Sequence, residues 1–89
     1  MKQIFKITFP NNKIYIGKDL TGTLTYFGSF DPRDVKADYK NVKTPHFTIK
    51  KEILWESETA DDEDVAKREA AYIRIFNSDN PKIGYNRQG

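Results

Sequence analysis

Apolar and polar residues alternate at the start of the chain. In residues 2–9, every second residue from Phe5 onward is apolar, and the residues between them are polar. This period of two predicts a β-strand, because successive side chains of a strand point to opposite faces. Proline and asparagine at 10–12 favour a turn, and a second strand-like run follows over 13–18. Together they predict a β-hairpin, whose loop has two or three residues.

A helix and a third strand are predicted next. Asp31 can accept hydrogen bonds from free N–H groups, and Pro32 fits the first position of a helix. These two residues predict a helix that begins there and ends near Lys40. After a further break in the pattern, the apolar residues of 47–56 predict a third strand.

The second helix is predicted over Asp61–Phe76. Its acidic first turn suits the positive end of a helix dipole, and Ser57 or Thr59 is the predicted N-terminal cap. A short ordered segment is expected at Ile83–Asn86. The order strand, strand, helix, strand, helix predicts an α+β domain with a small antiparallel or mixed three-stranded sheet flanked by helices.

The composition agrees with one small domain. The chain has 89 residues, which fits a single domain over residues 1–89. It contains no cysteine, which excludes a disulfide framework, a thiolate zinc site and a cysteine nucleophile. No apolar run approaches the length of a membrane span, and the first residues lack a signal-peptide pattern. We therefore expect a soluble, cytoplasmic protein with no membrane partner.

The charge is divided unevenly along the chain. Residues 1–51 contain ten basic and four acidic side chains, whereas residues 52–89 contain five basic and nine acidic ones. Most of the acidic excess lies in the run 56–64. A basic half favours a polyanionic partner such as DNA, because neutralised phosphates release counterions. The alternative is an ordinary solvated surface, since the excess is modest for a nucleic-acid-binding protein.

One carboxylate interrupts the apolar stripe of the second predicted helix. Glu69 lies four residues after Val65 and four before Ile73, so it falls on the same helix face. Tyr72 and Phe76 complete that stripe. A carboxylate at such a position is costly unless a partner, a proton or a metal compensates it. The alternative is a glutamate at the edge of the stripe that pairs with a lysine or extends into solvent.

Tyr15 and His46 have ordinary interpretations when each is taken alone. Tyr15 lies in the predicted hairpin, and a tyrosine there is most often a packing residue. Gly17, two residues later, marks a place where another backbone or a ligand comes close. His46, the single histidine, is more typical of the start of a strand than of a catalytic site.

Segments spread over almost the whole chain resemble the GIY-YIG nuclease family. Gln3-Ile4-Phe5 and Tyr15-Ile16-Gly17 resemble its paired hairpin motifs, the second in intact form. Arg68–Ile73 resembles the family's helix with its metal-binding glutamate, and Ile83–Asn86 resembles its terminal Gly-Tyr-Asn element. Tyr26–Ser29 resembles a segment found in some branches. The segments occur in the family's order, and they include the Glu69 that periodicity singles out.

The resemblance implies a metal-dependent endonuclease that hydrolyses the phosphodiester bonds of DNA. It assigns Glu69 as the ligand of Mg²⁺ or Mn²⁺, hard cations that also bind water and phosphate oxygens. Tyr15 would position or deprotonate the attacking water, with Lys18 as its helper. On the first helix, Arg33 is preferred over Lys36 as the phosphate contact, because a guanidinium binds phosphate in a bidentate manner. The other candidates are Asn86 in the catalytic group and Lys13, Lys36 and His46 for DNA contact.

Phe5 departs from the family pattern. It occupies the place of the tyrosine in the first motif, and a phenyl ring cannot accept a proton. Tyr15 must then take that role, or activity is weak or absent. The alternative function is therefore a catalytically reduced DNA-binding or partner-binding module that retains the fold. DNA is the expected partner, and a separate recognition subunit or a homodimer would supply specificity.

Overall fold

The described part of the chain contains three strands and two helices. It covers residues 1–22, 32–39 and 49–87 of a computed structural model. The elements in chain order are β1 (Lys2–Thr8), β2 (Ile14–Asp19), α1 (Pro32–Tyr39), β3 (Lys50–Ser57) and α2 (Asp62–Phe76). This order confirms the predicted α+β class. Asp31, His46 and the segment 26–29 lie outside the described residues. Neither described helix has the length and apolar character needed to traverse a bilayer.

β1 is the central strand of the sheet. The strand order is β2-β1-β3, and β1 pairs antiparallel with both neighbours. Of the two predicted alternatives, the antiparallel sheet is therefore the one that forms. The N–H of Phe9 donates to the carbonyl of Lys13 at 2.9 Å, which closes the hairpin around residues 10–12. Asn12 in this loop has a φ of 68°, a left-handed conformation that asparagine tolerates.

Separate apolar clusters cover the two faces of the sheet. The first cluster consists of buried hairpin side chains and one aromatic ring from the C-terminal segment 83–87: Phe5, Ile7, Phe9, Tyr15 and Tyr85. Val35 of α1 packs against it, and we call this side the α1 face. On the opposite side, Ile4 and Ile16 pack with Val65 of α2, and we call it the α2 face. The sheet thus lies between α2 and a layer formed by α1 and the C-terminal segment.

The N-terminal cap of α2 is Asp61. Its Oδ1 accepts a hydrogen bond from the N–H of Asp64 at 2.8 Å. The prediction of Ser57 or Thr59 as the cap is wrong. Ser57 is the last residue of β3, and its hydroxyl oxygen accepts from the N–H groups of Thr59 and Ala60 in the preceding turn. Because of that turn, the helix begins only at Asp62, and the carboxylate of the adjacent Asp61 caps it.

Candidate functional site

Glu69 lies on the apolar face of α2, as the periodicity predicts. Val65 is fully buried, and Tyr72, Ile73 and Phe76 pack against the same cluster. Glu69 itself is partly buried. Burial raises the pKa of its carboxyl, and the positive charge of Lys18 opposes that rise. Because the pKa remains raised, the nearby lysine compensates only part of the cost of burying this carboxylate.

Lys18 reaches the α2 face from the edge strand β2. It pairs with Ile4 across the hairpin, and a side chain of one cross-strand pair shares the face of its partner. β2 and α2 run in opposite directions, because the charge of Lys18, near the end of β2, acts on Glu69, while Ser78, just after α2, lies near Ile14 at the beginning of β2. Gly84 sits between these two residues. The structure therefore places two predicted site residues, Glu69 and Lys18, on the same face near one end of the β2 edge, where the charge of Lys18 acts on the carboxyl.

The C-terminal segment covers the other end of that edge. The N–H of Ile14 donates to the carbonyl of Ile83 at 3.1 Å, and the N–H of Tyr85 donates to the carbonyl of Ile14 at 2.9 Å. A methyl group added to Gly84 would stand 2.5 Å from the carbonyl oxygens of Ile14 and Ser78. Only a glycine fits this approach, which explains the glycine of the Ile83–Asn86 element.

Asn86 pairs with the backbone of β2 through its side chain. Its Oδ1 accepts from the N–H of Ile16, and its Nδ2 donates to the carbonyl of Ile16, both at 2.8 Å. The carboxamide thus replaces one residue of a neighbouring strand. These bonds give Asn86 a structural function at the β2 edge, and its assignment to the catalytic group stays a prediction.

Tyr15 lies on the other face of the sheet from Glu69 and Lys18. Its side chain belongs to the buried cluster of the α1 face and is 9% exposed. A Cβ atom on Gly17 would stand 2.5 Å from the Phe5 ring and 2.9 Å from the Tyr15 ring, so these aromatic rings crowd the glycine. Tyr15 and Lys18 are an odd number of residues apart in a strand, which places them on opposite faces. The structure does not group the predicted base with the predicted metal ligand.

The basic candidates on α1 and in the hairpin loop differ in their surroundings. Arg33 and Lys36 are exposed on α1. Lys13 lies 2.6 Å from Asp38 of α1 and 5.4 Å above the centre of the Tyr85 ring. An anionic ligand would have to compete with the Asp38 carboxylate for the ammonium group of Lys13. The preference for Arg33 over Lys36 stays a prediction, because both residues are exposed on the same helix.

Asp38 and Tyr85 form a polar contact that the sequence does not reveal. The Tyr85 hydroxyl donates to Oδ2 of Asp38 at 2.7 Å and accepts from Nδ2 of Asn11 at 2.9 Å. Hydrogen bonds from Lys13 and Tyr85 hold the pKa of the Asp38 carboxyl below its usual value. Burial, and then the negative charge of Asp38, raise the pKa of the Tyr85 hydroxyl. Tyr85 is therefore a protonated donor and Asp38 a charged acceptor at neutral pH.

An open cleft of about 630 Å³ lies beside this contact, between α1 and the C-terminal segment. Its lining includes three carboxylates, two basic side chains and Asn86, the full polar set being Lys13, Asp34, Asp38, Asp79, Tyr85, Asn86 and Arg87. Glu69 and Lys18 are not among the described residues that line it. The cleft and the Glu69 carboxylate are thus two distinct features, and the C-terminal segment adjoins both the cleft and the β2 edge through Gly84, Tyr85 and Asn86.

Glu69 satisfies the donor requirement of a hard cation only in part. No group of three or more His, Asp or Glu side chains converges on a single point within the described ranges. Mg²⁺ usually keeps several waters and binds one or two carboxylates plus phosphate oxygens of a substrate. A single partly buried carboxylate fits that mode of binding, and it does not fit a metal enclosed by protein ligands.

Comparison of the chain with protein-family models, with curated proteins and with solved structures found no match.

Proposed function

We propose that this chain is a GIY-YIG-type, metal-dependent DNA endonuclease. The observation that carries the proposal is Glu69, a partly buried carboxylate on the apolar face of α2 with raised pKa. Burial disfavours the charged form of such a carboxylate, and a bound cation would compensate that cost. The hairpin, helix and terminal segments resemble the GIY-YIG family in the same order, and this resemblance assigns Glu69 as the metal ligand.

Glu69 would hold Mg²⁺ or Mn²⁺ with one carboxylate oxygen, and water and DNA phosphate would complete the coordination. When bound, the cation polarises the phosphoryl group and stabilises the leaving oxygen. Lys18, whose charge acts on Glu69, would contact a phosphate oxygen at the same end of β2. Such a site binds metal weakly without substrate, since the protein contributes a single ligand.

Tyr15 would act from the opposite face. β2 is an edge strand, and the C-terminal segment covers its Ile14–Ile16 part, so a phosphate within reach of both faces would bind at the Lys18 end of that edge. A free tyrosine has a pKa of about 10, so its hydroxyl orients the water more readily than it deprotonates it. On this proposal Tyr15 positions water, Lys18 and Arg33 or Lys36 bind phosphate, and Asn86 fixes the strand that bears two of them.

The second candidate function is a DNA-binding module that has lost catalysis. Phe5 favours it, because this ring occupies the first-motif position, is 0% exposed and lies against Gly17. A buried phenyl ring offers a substrate neither a hydroxyl nor a surface. In that case the basic half of the chain would bind DNA, and a recognition subunit or a second copy would supply the specificity. With either function, we propose a cytoplasmic location, where the protein would meet intracellular DNA.

The two functions separate in a plasmid-nicking assay. Purified protein is incubated with supercoiled plasmid and Mn²⁺, with and without EDTA. We expect nicking that EDTA abolishes and that Glu69→Ala and Glu69→Gln lose. The matched control is Glu63→Gln on the same helix, whose carboxylate is 77% exposed and pairs with Lys67. This variant should nick like the wild type.

Salt-dependent DNA binding without nicking by any variant would favour the module. Absence of both nicking and binding at low salt would contradict both functions, because phosphate contacts are strongest there.

A further inference from the structure

α1 is a short helix, and within the described residues its apolar contact with the core is limited to Val35. It has eight residues, and Val35 is its partly buried apolar contact with the α1-face cluster. Helices of this length are marginal on their own in water, because nucleation is unfavourable and few hydrogen bonds follow it. Contacts from other parts of the chain must therefore keep α1 folded and oriented.

Two of those contacts meet at Asp38. We call Asn11, Lys13, Asp38 and Tyr85 the α1 latch. Lys13 lies 2.6 Å from the Asp38 carboxylate, and the Tyr85 hydroxyl donates to it at 2.7 Å. Asn11 donates to that same hydroxyl at 2.9 Å. The latch therefore connects α1 to the hairpin loop and to the C-terminal segment at one carboxylate oxygen.

The latch is anchored in the core on the Tyr85 side. The Tyr85 ring is 5% exposed and packs edge-on against Phe9, with ring centres 4.9 Å apart. Its hydroxyl is thus a fixed donor, and a hydrogen bond from a fixed donor to a charged acceptor is worth more than one between mobile neutral groups. Two further links to α1 are exposed, so solvent weakens them: the Arg87–Asp34 ion pair, with Arg87 63% exposed, and a hydrogen bond from the N–H of Asn11 to the Tyr39 hydroxyl at 3.0 Å.

We infer that Asp38 and Tyr85 are positioning residues that hold α1, and with it Arg33 and Lys36, in the orientation in which these cations meet DNA phosphate. Only the statement that Arg33 and Lys36 meet DNA phosphate rests on the proposed function. That α1 depends on the latch is a statement about the fold, and it can be measured without DNA or metal.

Amide hydrogen exchange tests the dependence of α1 on the latch. The variants are Tyr85→Phe, which keeps the ring in the core, and Asp38→Asn, which keeps the shape of the side chain. Hydrogen bonds to charged groups contribute enough that we expect the α1 amides of residues 36–39 to exchange roughly 10- to 100-fold faster. Amides of β1 in the same samples report global unfolding and should change much less.

Two substitutions of the same kind outside the latch serve as controls. Tyr72→Phe removes a hydroxyl that donates at 3.4 Å to the carbonyl of Leu54, and Asp62→Asn removes the ion pair with Lys2. Neither should change exchange in α1. If the latch variants exchange in α1 no faster than these controls, the inference is overturned, whatever the DNA results are.

A double-mutant cycle with DNA tests the positioning function. Arg33→Ala should weaken binding of a short duplex at low salt in the wild type, and should weaken it less in Tyr85→Phe, where α1 is no longer oriented. Merely lower stability would leave the two effects additive. Faster α1 exchange with such coupling supports the inference, and faster exchange without coupling overturns the positioning function. The plasmid assay with Glu69 judges the proposed function independently.

Discussion

α2 packs directly on the sheet, whereas α1 reaches the α1-face cluster through Val35, and different kinds of contact hold the two helices in place. α2 has fifteen residues, a cap from Asp61 and a left-handed Asn77 at its end, and it buries an apolar stripe. α1 has eight residues and is joined to the hairpin loop and the C-terminal segment by hydrogen bonds and ion pairs. α2 is specified within its own stretch of sequence, whereas α1 depends on residues far from it. A substitution outside α1, such as Tyr85→Phe, can therefore displace α1 as much as one inside it.

The largest effect is expected at Gly84, on which both helices depend. Gly84→Ala places a methyl group 2.5 Å from the carbonyl oxygens of Ile14 and Ser78, and backbone atoms cannot move aside as a side chain can. We expect a loss of about 3 kcal/mol in the free energy of unfolding, measured by urea denaturation.

The neighbouring Lys82→Ala is the control for Gly84→Ala, since Lys82 is exposed and surface substitutions usually change stability by no more than about 0.5 kcal/mol. A Gly84→Ala variant as stable as this control would contradict the close approach described here.

A matched pair of valines tests the difference between the helices directly. Val65 of α2 is fully buried, whereas Val35 of α1 is partly buried. Val65→Ala should cost about 2 kcal/mol of unfolding free energy, because apolar area is lost and a cavity remains. Val35→Ala should cost less than about 1 kcal/mol on the same scale. Equal losses would mean that apolar packing, and not the latch, holds α1.

The smallest change in the free energy of unfolding is expected at Glu69. Unlike the substitutions above, replacement of this residue should stabilise the fold. Burial raises the pKa of this carboxyl in the folded state, so folding favours the protonated form. The contribution of the protonated Glu69 carboxyl to stability is therefore complete below its ordinary pKa of 4.5. It is lost as the pH rises through the raised pKa of the folded state. Glu69→Gln should be slightly more stable than the wild type at pH 7, with the difference disappearing in acid. Urea denaturation at several pH values measures it.

Glu63→Gln is the control for this prediction, because it measures how the free energy of unfolding changes when an exposed carboxylate of α2 is lost. A Glu69→Gln variant less stable than the wild type at pH 7 would mean that the ionised carboxylate stabilises the fold.

Much of the fold follows from short-range patterns. The period of two in the hairpin and the apolar stripe with Glu69 both persist in the structure, because each reflects burial of one face. The same reasoning applied to β2 separates Tyr15 from Lys18, since residues three apart in a strand point to opposite faces. The resemblance placed both in one catalytic group, and the strand period puts that grouping in question.

The long-range contacts could not be predicted. Asp38 and Tyr85 are 47 residues apart, and nothing in the composition around Asp38 marks it as the partner of a buried hydroxyl. The cap of α2 was missed because three residues before the helix could each accept the hydrogen bond, and the turn that decides between them depends on where β3 ends. In both cases the outcome rests on tertiary geometry that a local pattern does not contain.

The pairing of Asn86 with Ile16 also has a consequence for protein synthesis. The two residues are 70 positions apart, so a ribosome exposes the β2 strand long before the segment that covers its edge has emerged. Until then the backbone groups of Ile14 and Ile16 are open to another strand, such as one from a neighbouring nascent chain. The C-terminal segment thus covers the edge of the sheet late in synthesis. Once it has paired with β2, strands of other chains can no longer compete for that edge.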